Sequence, residues 1–393
     1  MDARTVNNLP PDAPHNNGAT RCYMAIELSK KSWVVAVNTP LSEKISRHTL
    51  RGCDSKELLE LIEKIRTRIE RELKRPVEIV CCYEAGYDGF WLHRLLLDHG
   101  VCNFVIDPAS VQVNRRARRA KTDNIDVAQL LRFLMAYLRG DPKVWSVVRV
   151  PTIDEEDDRR LHRERDRLIK ERVQHVNRIK GLCALHGIYD YQPLRSDRMR
   201  RLEQLRTRDG RELPLRLKAE LRRELQRLEL ALQMIKAVER ERDAIASGNA
   251  VSTHTNTRMI QDLVKIRSIG AETAAVLVGE VFYRRFHNRR QLGSYAGLTP
   301  SPFNSGSTNR DQGISKAGNP KARTTMIELA WAWLRYQPKS PLSTWFNERV
   351  GSAKGRIRRI TIVAVARKLL IDLWRYLETG VVPTGALVRG CKR

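Results

Sequence analysis

Glu27, Glu84, Asp123 and Asp126 are the residues of this chain whose types and spacing could do chemistry. Glu27 punctuates the apolar run Y-M-A-I-E-L, and Glu84 follows I-V-C-C-Y. Asp123 and Asp126, in K-T-D-N-I-D-V-A, lie three positions apart and share one face of a helix. Carboxylates at two strand ends and on a later helix are hard oxygen donors. Such a set can hold Mg²⁺ or Mn²⁺ on either side of a scissile phosphate, the arrangement of two-metal phosphoryl transfer. Each acid also has an ordinary reading. Glu84 can be a solvated strand-end acid, Asp123 a helix N-cap, and Asp126 a first-turn acid favoured by the helix dipole. A fifth candidate is Ser305, in P-S-P-F-N-S-G-S-T, where small neighbours expose the hydroxyl and Arg and Lys crowd the segment. A serine hydroxyl attacks a phosphodiester when deprotonated or metal-assisted, with cations balancing the transition state. By itself, a Ser in a Ser/Gly loop is a turn residue.

The elements that must position these groups are legible upstream of residue 150. Residues 22–38 read as two β runs joined by S-K-K, a hairpin, with a third strand near 45–50. A helix follows, capped by Asp54, with Leu58, Leu59, Ile62 and Ile65 at helical spacing. Val77–Tyr83 is a continuous apolar run, as in a strand covered on both faces. Next come a helix over 88–99 ended by Gly100, a strand Asn103–Ile106, the basic loop N-R-R-A-R-R-A-K and a helix over 124–139. The order β-β-β-α-β-α-β-α is that of a ribonuclease-H-like α/β domain. In it Glu27 lies on the first strand, Glu84 at the end of the fourth, and Asp123 and Asp126 on the last helix.

Composition narrows the partners. The 393 residues carry a formal net charge of +27 and a pI near 10.2, with Lys and Arg spread along the whole length. That points to a polyanion, DNA or RNA. No apolar run approaches the roughly 18 residues of a membrane span. Residues 1–20 lack an apolar signal core and read as a disordered leader. The seven Cys are scattered without a CxxC pair, against zinc or a disulfide framework and in keeping with a reducing cytoplasm.

Beyond Pro151 charged residues dominate. Leu161, Leu168 and Leu182 fall at multiples of seven, and Leu221, Leu225, Leu228, Leu232 and Ile235 alternate in steps of four and three, an a/d seam. Residues 151–255 therefore read as an antiparallel helical hairpin or coiled coil, broken near His186-Gly187, whose seam would hold a second protomer. Residues 256–393 read as a mainly helical C-terminal domain. In I-R-S-I-G-A-E-T-A, Gly270 would end one helix and Thr273 with Ala274 begin the next, a helix-hairpin-helix aiming N–H groups at a phosphate. A Gly/Ser/Asn-rich loop carrying Ser305 follows. Trp331, Trp333 and Tyr336 then mark an aromatic helix face, expected to be core.

These motifs together carry a resemblance. I-E-L-S-K, Y-E-A-G, K-T-D-N-I-D-V-A, I-R-S-I-G-A-E-T-A, L-G-S-Y-A-G-L-T-P, N-S-G and G-I-S-K-A-G-N-P-K-A-R make the stretch from Cys22 to Arg349 resemble the DEDD transposases of the IS one-ten insertion sequences and their Piv-type invertase relatives. The resemblance implies a RuvC-like domain, a coiled-coil dimerisation segment and a C-terminal domain supplying a nucleophilic serine. It further implies donor and target DNA as substrates, a structured non-coding guide RNA (a bridge RNA) that pairs with both, and a dimer or tetramer on DNA. Carried over by position, the acidic tetrad is Glu27, Glu84, Asp123 and Asp126, and the serine of the S-G pair is Ser305, from the same chain or a neighbouring protomer. This chain departs from the pattern once: Glu27 stands where the family carries Asp. The residues alone leave two rivals open, a Holliday-junction-type nuclease using metal-activated water, and a non-enzymatic basic nucleic-acid-binding protein.

Overall fold

The computed structural model describes residues 20–111, 123–141, 144–249, 255–305 and 308–389. The expected leader up to residue 19 and the basic loop 114–121 lie outside these residues. The chain divides between Val150 and Pro151 into two compact units.

The first unit is a five-stranded mixed sheet between helices. In chain order it comprises β1 (Thr20–Glu27), β2 (Ser32–Asn38), β3 (Ser46–Arg51), α1 (Ser55–Leu73), β4 (Val77–Glu84), α2 (Trp91–Asp98), β5 (Cys102–Ile106), a 3₁₀ turn at Pro108–Ser110, and α3 (Asp123–Leu138). The strands lie in the order β3-β2-β1-β4-β5. The hairpin partners β1–β2 and β2–β3 are antiparallel, while the crossovers through α1 and α2 make β1–β4 and β4–β5 parallel. Asp54 accepts from the Glu57 backbone N–H at 3.0 Å and starts α1 as its side chain predicts.

Successive strand residues serve opposite faces. Met24, Ile26 and Trp33 pack with Leu58, Ile62, Leu92 and Leu96 of α1 and α2. Ala25, Val34, Val80 and Cys82 pack with Val127, Leu130, Leu131 and Leu134 of α3. Both faces are covered, which is why the β4 run is apolar without alternation. Cys81 and Cys82 consequently enter different cores. Burial pushes both thiols up, so neither offers a ready thiolate.

The second unit is helical except for one hairpin. It comprises α4 (Ile153–Asp157), α5 (Arg160–Ala184), α6 (Arg198–Glu203), α7 (Leu215–Ser247), α8 (Thr255–Val264), α9 (Ala271–Leu277), a π-helical turn (Val278–Phe282), α10 (Arg289–Tyr295), β6 (Pro300–Ser305), β7 (Thr308–Ile314), α11 (Pro320–Tyr336), α12 (Pro341–Val350) and α13 (Arg356–Thr379). Helices α5 and α7 run antiparallel. Arg165 meets Glu239 at 2.7 Å, His175 meets Glu224 at 2.8 Å, and Arg178 meets Glu220 at 2.6 Å, so numbering rises on one helix as it falls on the other.

Four sequence expectations are corrected here. The seam does not await a second copy: Leu221, Leu225 and Leu228 are buried with Ile179, Leu182 and Cys183 of α5 and with Ile188, Tyr191, Leu202 and Leu213 of the connector. An a/d stripe needs an apolar partner, and this chain supplies it by folding back. Gly270 does not end a helix; with φ −91° it is the residue before α9, while α8 stops at Val264. Thr273 and Ala274 lie inside α9. The Gly/Ser/Asn-rich segment is not an open loop. Asn288 accepts from the Arg290 and Gln291 N–H groups to start α10, and β6 then pairs with β7. The aromatic face is split: Trp333 is core, whereas Trp331 and Tyr336 are exposed.

Leu228→Ala should cost about 2–5 kcal/mol by leaving a cavity in the α5–α7 core. Thermal melting should show the loss while sedimentation of the native protein stays unchanged. A lighter species with an unaltered melting temperature would instead mean that the seam serves a second copy.

Candidate active site and cationic face

Glu27 and Glu84 end the two central parallel strands at the same edge of the sheet. The register between these strands runs as far as Ile26 with Tyr83, and each acid is the next residue on its strand. Strand alternation fixes their side. Ala25 and Cys82 belong to the α3 face, so Glu27 and Glu84, two residues further on, also point to it. Helix α3 covers this face, begins at Asp123 and carries Asp126 immediately before the buried Val127. The sheet thus ends two neighbouring strands in a carboxylate at its carboxyl end, and α3, which covers this face, carries Asp126 in its N-terminal turn. The side chain of Asp123 lies outside the described residues; its backbone opens the helix.

All four candidate residues are carboxylates, a chemistry that suits a hard divalent cation better than zinc. Among the described residues no three His, Cys, Asp or Glu side chains cluster closely enough to hold a metal ion.

Ser305 belongs to the second unit. It is the last residue of β6 and pairs with Thr308 of β7. Its side chain, like Gly306 and Ser307, lies outside the described residues. What can be described is the base of its hairpin. Ser315 N–H donates to Thr299 O at 2.8 Å, and Asn319 N–H donates to Tyr295 O at 2.8 Å. Two glycines permit this closeness. Gly297, at φ +64°, would put a Cβ 2.5 Å from Ala317 O, and Gly318, at φ +110°, would put one 2.3 Å from Tyr295 O.

Positive charge is distributed unequally within the second unit. On α5 and α7 much of it is neutralised by Glu partners, as in the pairs above and in Arg222–Glu203. From residue 331 to 360 the sequence carries Arg335, Lys339, Arg349, Lys354, Arg356, Arg358 and Arg359 against one acid, Glu348. None of these cations is in an ion pair among the described residues. Several lie on aromatic rings instead. Arg358 stands 5.1 Å from the Trp331 ring, Arg335 5.5 Å from Tyr336, and Arg349 5.8 Å from Trp345. A ring orders a guanidinium without cancelling its charge, leaving it for an anion.

Both halves of the chain match known transposases. Residues 25–189, which span both strand acids and α3, match a DEDD transposase family model described as "Transposase". Residues 261–343, which span the Ser305 hairpin, match one described as "Transposase IS116/IS110/IS902 family". The "Putative transposase y4rJ" of Sinorhizobium fredii (strain NBRC 101917 / NGR234) is 48% identical over 373 residues, covering 93% of this chain and 94% of that one. The chain belongs to the IS110 family of DEDD transposases. A more distant relative, "Transposase for insertion sequence element IS1111A" of Coxiella burnetii, is 28% identical over 239 residues, 58% of this chain and 60% of its own length.

In this transposase the A-G-L-T-P and K-A-G-N-P blocks are the two sides of the hairpin base, held by Gly297 and Gly318. Sequence reasoning missed one polar centre, Glu280 with His162 and Arg163. Its partners lie more than a hundred positions apart, at 162–163 and 280. A signal was nonetheless present: an acid inside A-V-L-V-G-E-V-F is an ionisable group in an apolar run, and such a group has a partner. No helix among the described residues is long and apolar enough to cross a membrane.

Proposed function

We propose that this insertion-sequence transposase is a metal-dependent DNA recombinase that cuts and exchanges strands through Ser305, directed by a non-coding guide RNA from its element. The observation that carries the reading is the placement of Glu27 and Glu84 at adjacent strand ends on the face covered by α3, where Asp126 lies. Glu27, Glu84, Asp123 and Asp126 would hold Mg²⁺ or Mn²⁺, which when bound stabilises charge developing on a phosphate. Glu27 keeps both hard oxygens of the family's Asp and reaches one methylene further.

Ser305 Oγ then forms the bond to phosphorus as the ester bond to the deoxyribose oxygen breaks. The serine proton is lost and the leaving oxygen gains one. One phosphodiester replaces another, so rejoining to a second strand needs no outside energy source. Donor and target DNA and the guide RNA are the polyanions that the +27 chain would carry, as a dimer or tetramer on DNA.

The test is to incubate purified protein with element-end DNA and RNA, with and without Mg²⁺, and look for a covalent protein–DNA species. An adduct that needs both Mg²⁺ and RNA is expected. Cleavage without an adduct would assign the protein to the water-using nucleases, and binding without cleavage to the non-enzymatic class.

Affinity should also be steeply salt-dependent. If about 6–10 phosphates are contacted, it should fall roughly 10³–10⁵-fold between 50 and 200 mM salt. Neutralising Arg356, Arg358 and Arg359 together should flatten that slope by about three contacts' worth. An unchanged slope in the triple variant would take the α13 cations out of the interface.

A further inference from the structure

Glu280 is buried at the centre of the π-helical turn. Its Oε1 accepts from His162 Nε2 and from Arg163 Nε, both at 2.9 Å. Its Oε2 accepts from Arg163 Nη2 at 3.2 Å and from Asn319 Nδ2 at 3.0 Å. Its backbone carbonyl accepts from Tyr295 Oη at 2.9 Å. Burial opposes ionisation here, but the hydrogen bonds from His162 and Arg163 outweigh it and hold the carboxyl well below the usual range.

One residue therefore joins three segments. His162 and Arg163 belong to α5. Tyr295 ends α10, just before β6, and Asn319 caps α11, just after β7. The two flanks of the hairpin are already closed on each other at Gly297 and Gly318, so they move as one piece. Lys321, the second residue of α11, reaches Asp166 of α5 through its Nζ at 2.6 Å and repeats the link. A buried charged network of this kind is weak evidence for stability, since apolar packing of equal volume does as well. What it supplies is direction, because each acceptor lone pair admits its donor from one side.

We propose that Glu280 is a positioning residue for the serine-bearing hairpin. Through Asn319 and Tyr295 it sets the direction in which β6 and β7 leave the C-terminal core, and through His162 and Arg163 it ties that direction to α5. The inference rests on the reading of Ser305 as nucleophile.

Two variants test it. Glu280→Gln keeps the side chain's size and one acceptor oxygen. Asn319→Ser keeps a capping hydroxyl for α11 but withdraws the amide from Glu280. Each is measured for melting temperature, for DNA affinity, and for the single-turnover rate of adduct formation at saturating DNA and RNA. Glu280→Gln removes the charge that His162 and Arg163 stabilise and should lower the melting temperature as well as the rate, so Asn319→Ser decides: its adduct rate should fall on the order of 10–100-fold, the effect of an ångström-scale misplacement, while affinity and melting hold. The double variant should be no slower than Glu280→Gln alone, because Asn319 acts on the hairpin through its bond to Glu280. A folded Asn319→Ser protein that forms adduct at the wild-type rate overturns the proposal. So does a loss of rate in that variant that only tracks a fall in melting temperature and affinity. Ser305→Ala, run alongside, separates the two readings. If the serine reading fails, that variant still cleaves and no adduct appears in any sample. If only Glu280 fails, Ser305→Ala is inactive while Asn319→Ser runs at full rate.

Discussion

On the proposed mechanism, replacing Ser305 by alanine should remove the covalent protein–DNA adduct and strand exchange, and leave DNA and RNA binding in place. Removing a nucleophile costs the whole covalent route, a fall of roughly 10⁴–10⁶-fold in other enzymes that act through a serine. Binding survives because one hydroxyl adds little beside the phosphate contacts available to a +27 chain. The hairpin also survives, since its base is held by Gly297, Gly318 and the Asn319 and Ser315 backbone bonds, none of which involves Ser305. Gel analysis of denatured reaction mixtures reads the adduct, and a recombination assay reads the exchange. Ser307→Ala should be mild by comparison. Wild-type recombination by Ser305→Ala would make metal-activated water the nucleophile.

Asp126→Asn should be nearly as severe. The change keeps shape and removes one anionic donor, so α3 still packs through Val127, Leu130, Leu131 and Leu134. Strand cleavage should fall by roughly 10²–10³-fold or more, the scale for losing one preorganised group that balances transition-state charge. Melting temperature and nucleic-acid affinity should stay close to wild type. Cleavage at an undiminished rate would remove Asp126 from the site and return it to the role of a first-turn helix acid.

The first unit was largely legible because its signals are local. The apolar run of β4, the hairpin at S-K-K and the Asp54 cap each specify an element from a few adjacent residues. Alternation then places Glu27 and Glu84 on one face without further information. The second unit was harder to read for a physical reason. An a/d stripe states that a partner exists and not which one, and the choice of α5 over a second copy is made by the length and turns of the connector, including Gly187 at φ +72°. The Ser305 segment misled because its Gly, Ser and Asn are turn formers taken singly. Pairing between β6 and β7 is a property of two strands and is invisible in either one. Glu280 was unread because its meaning lies in helix α5, distant in sequence.

The edges of the five-stranded sheet carry a consequence for assembly. On one side, β5 is already occupied: Val148 N–H donates to Val105 O and Asp107 N–H to Ser146 O, both within the same unit. On the other, β3 presents Ser46, Arg47, Thr49 and Arg51 to solvent, a short polar strand whose guanidiniums repel an incoming copy of themselves. Both borders therefore disfavour β-addition of a strand from a neighbour. Any copies that gather side by side on one nucleic acid would then meet through surfaces other than the borders of this sheet, which are guarded against fusing into an aggregate.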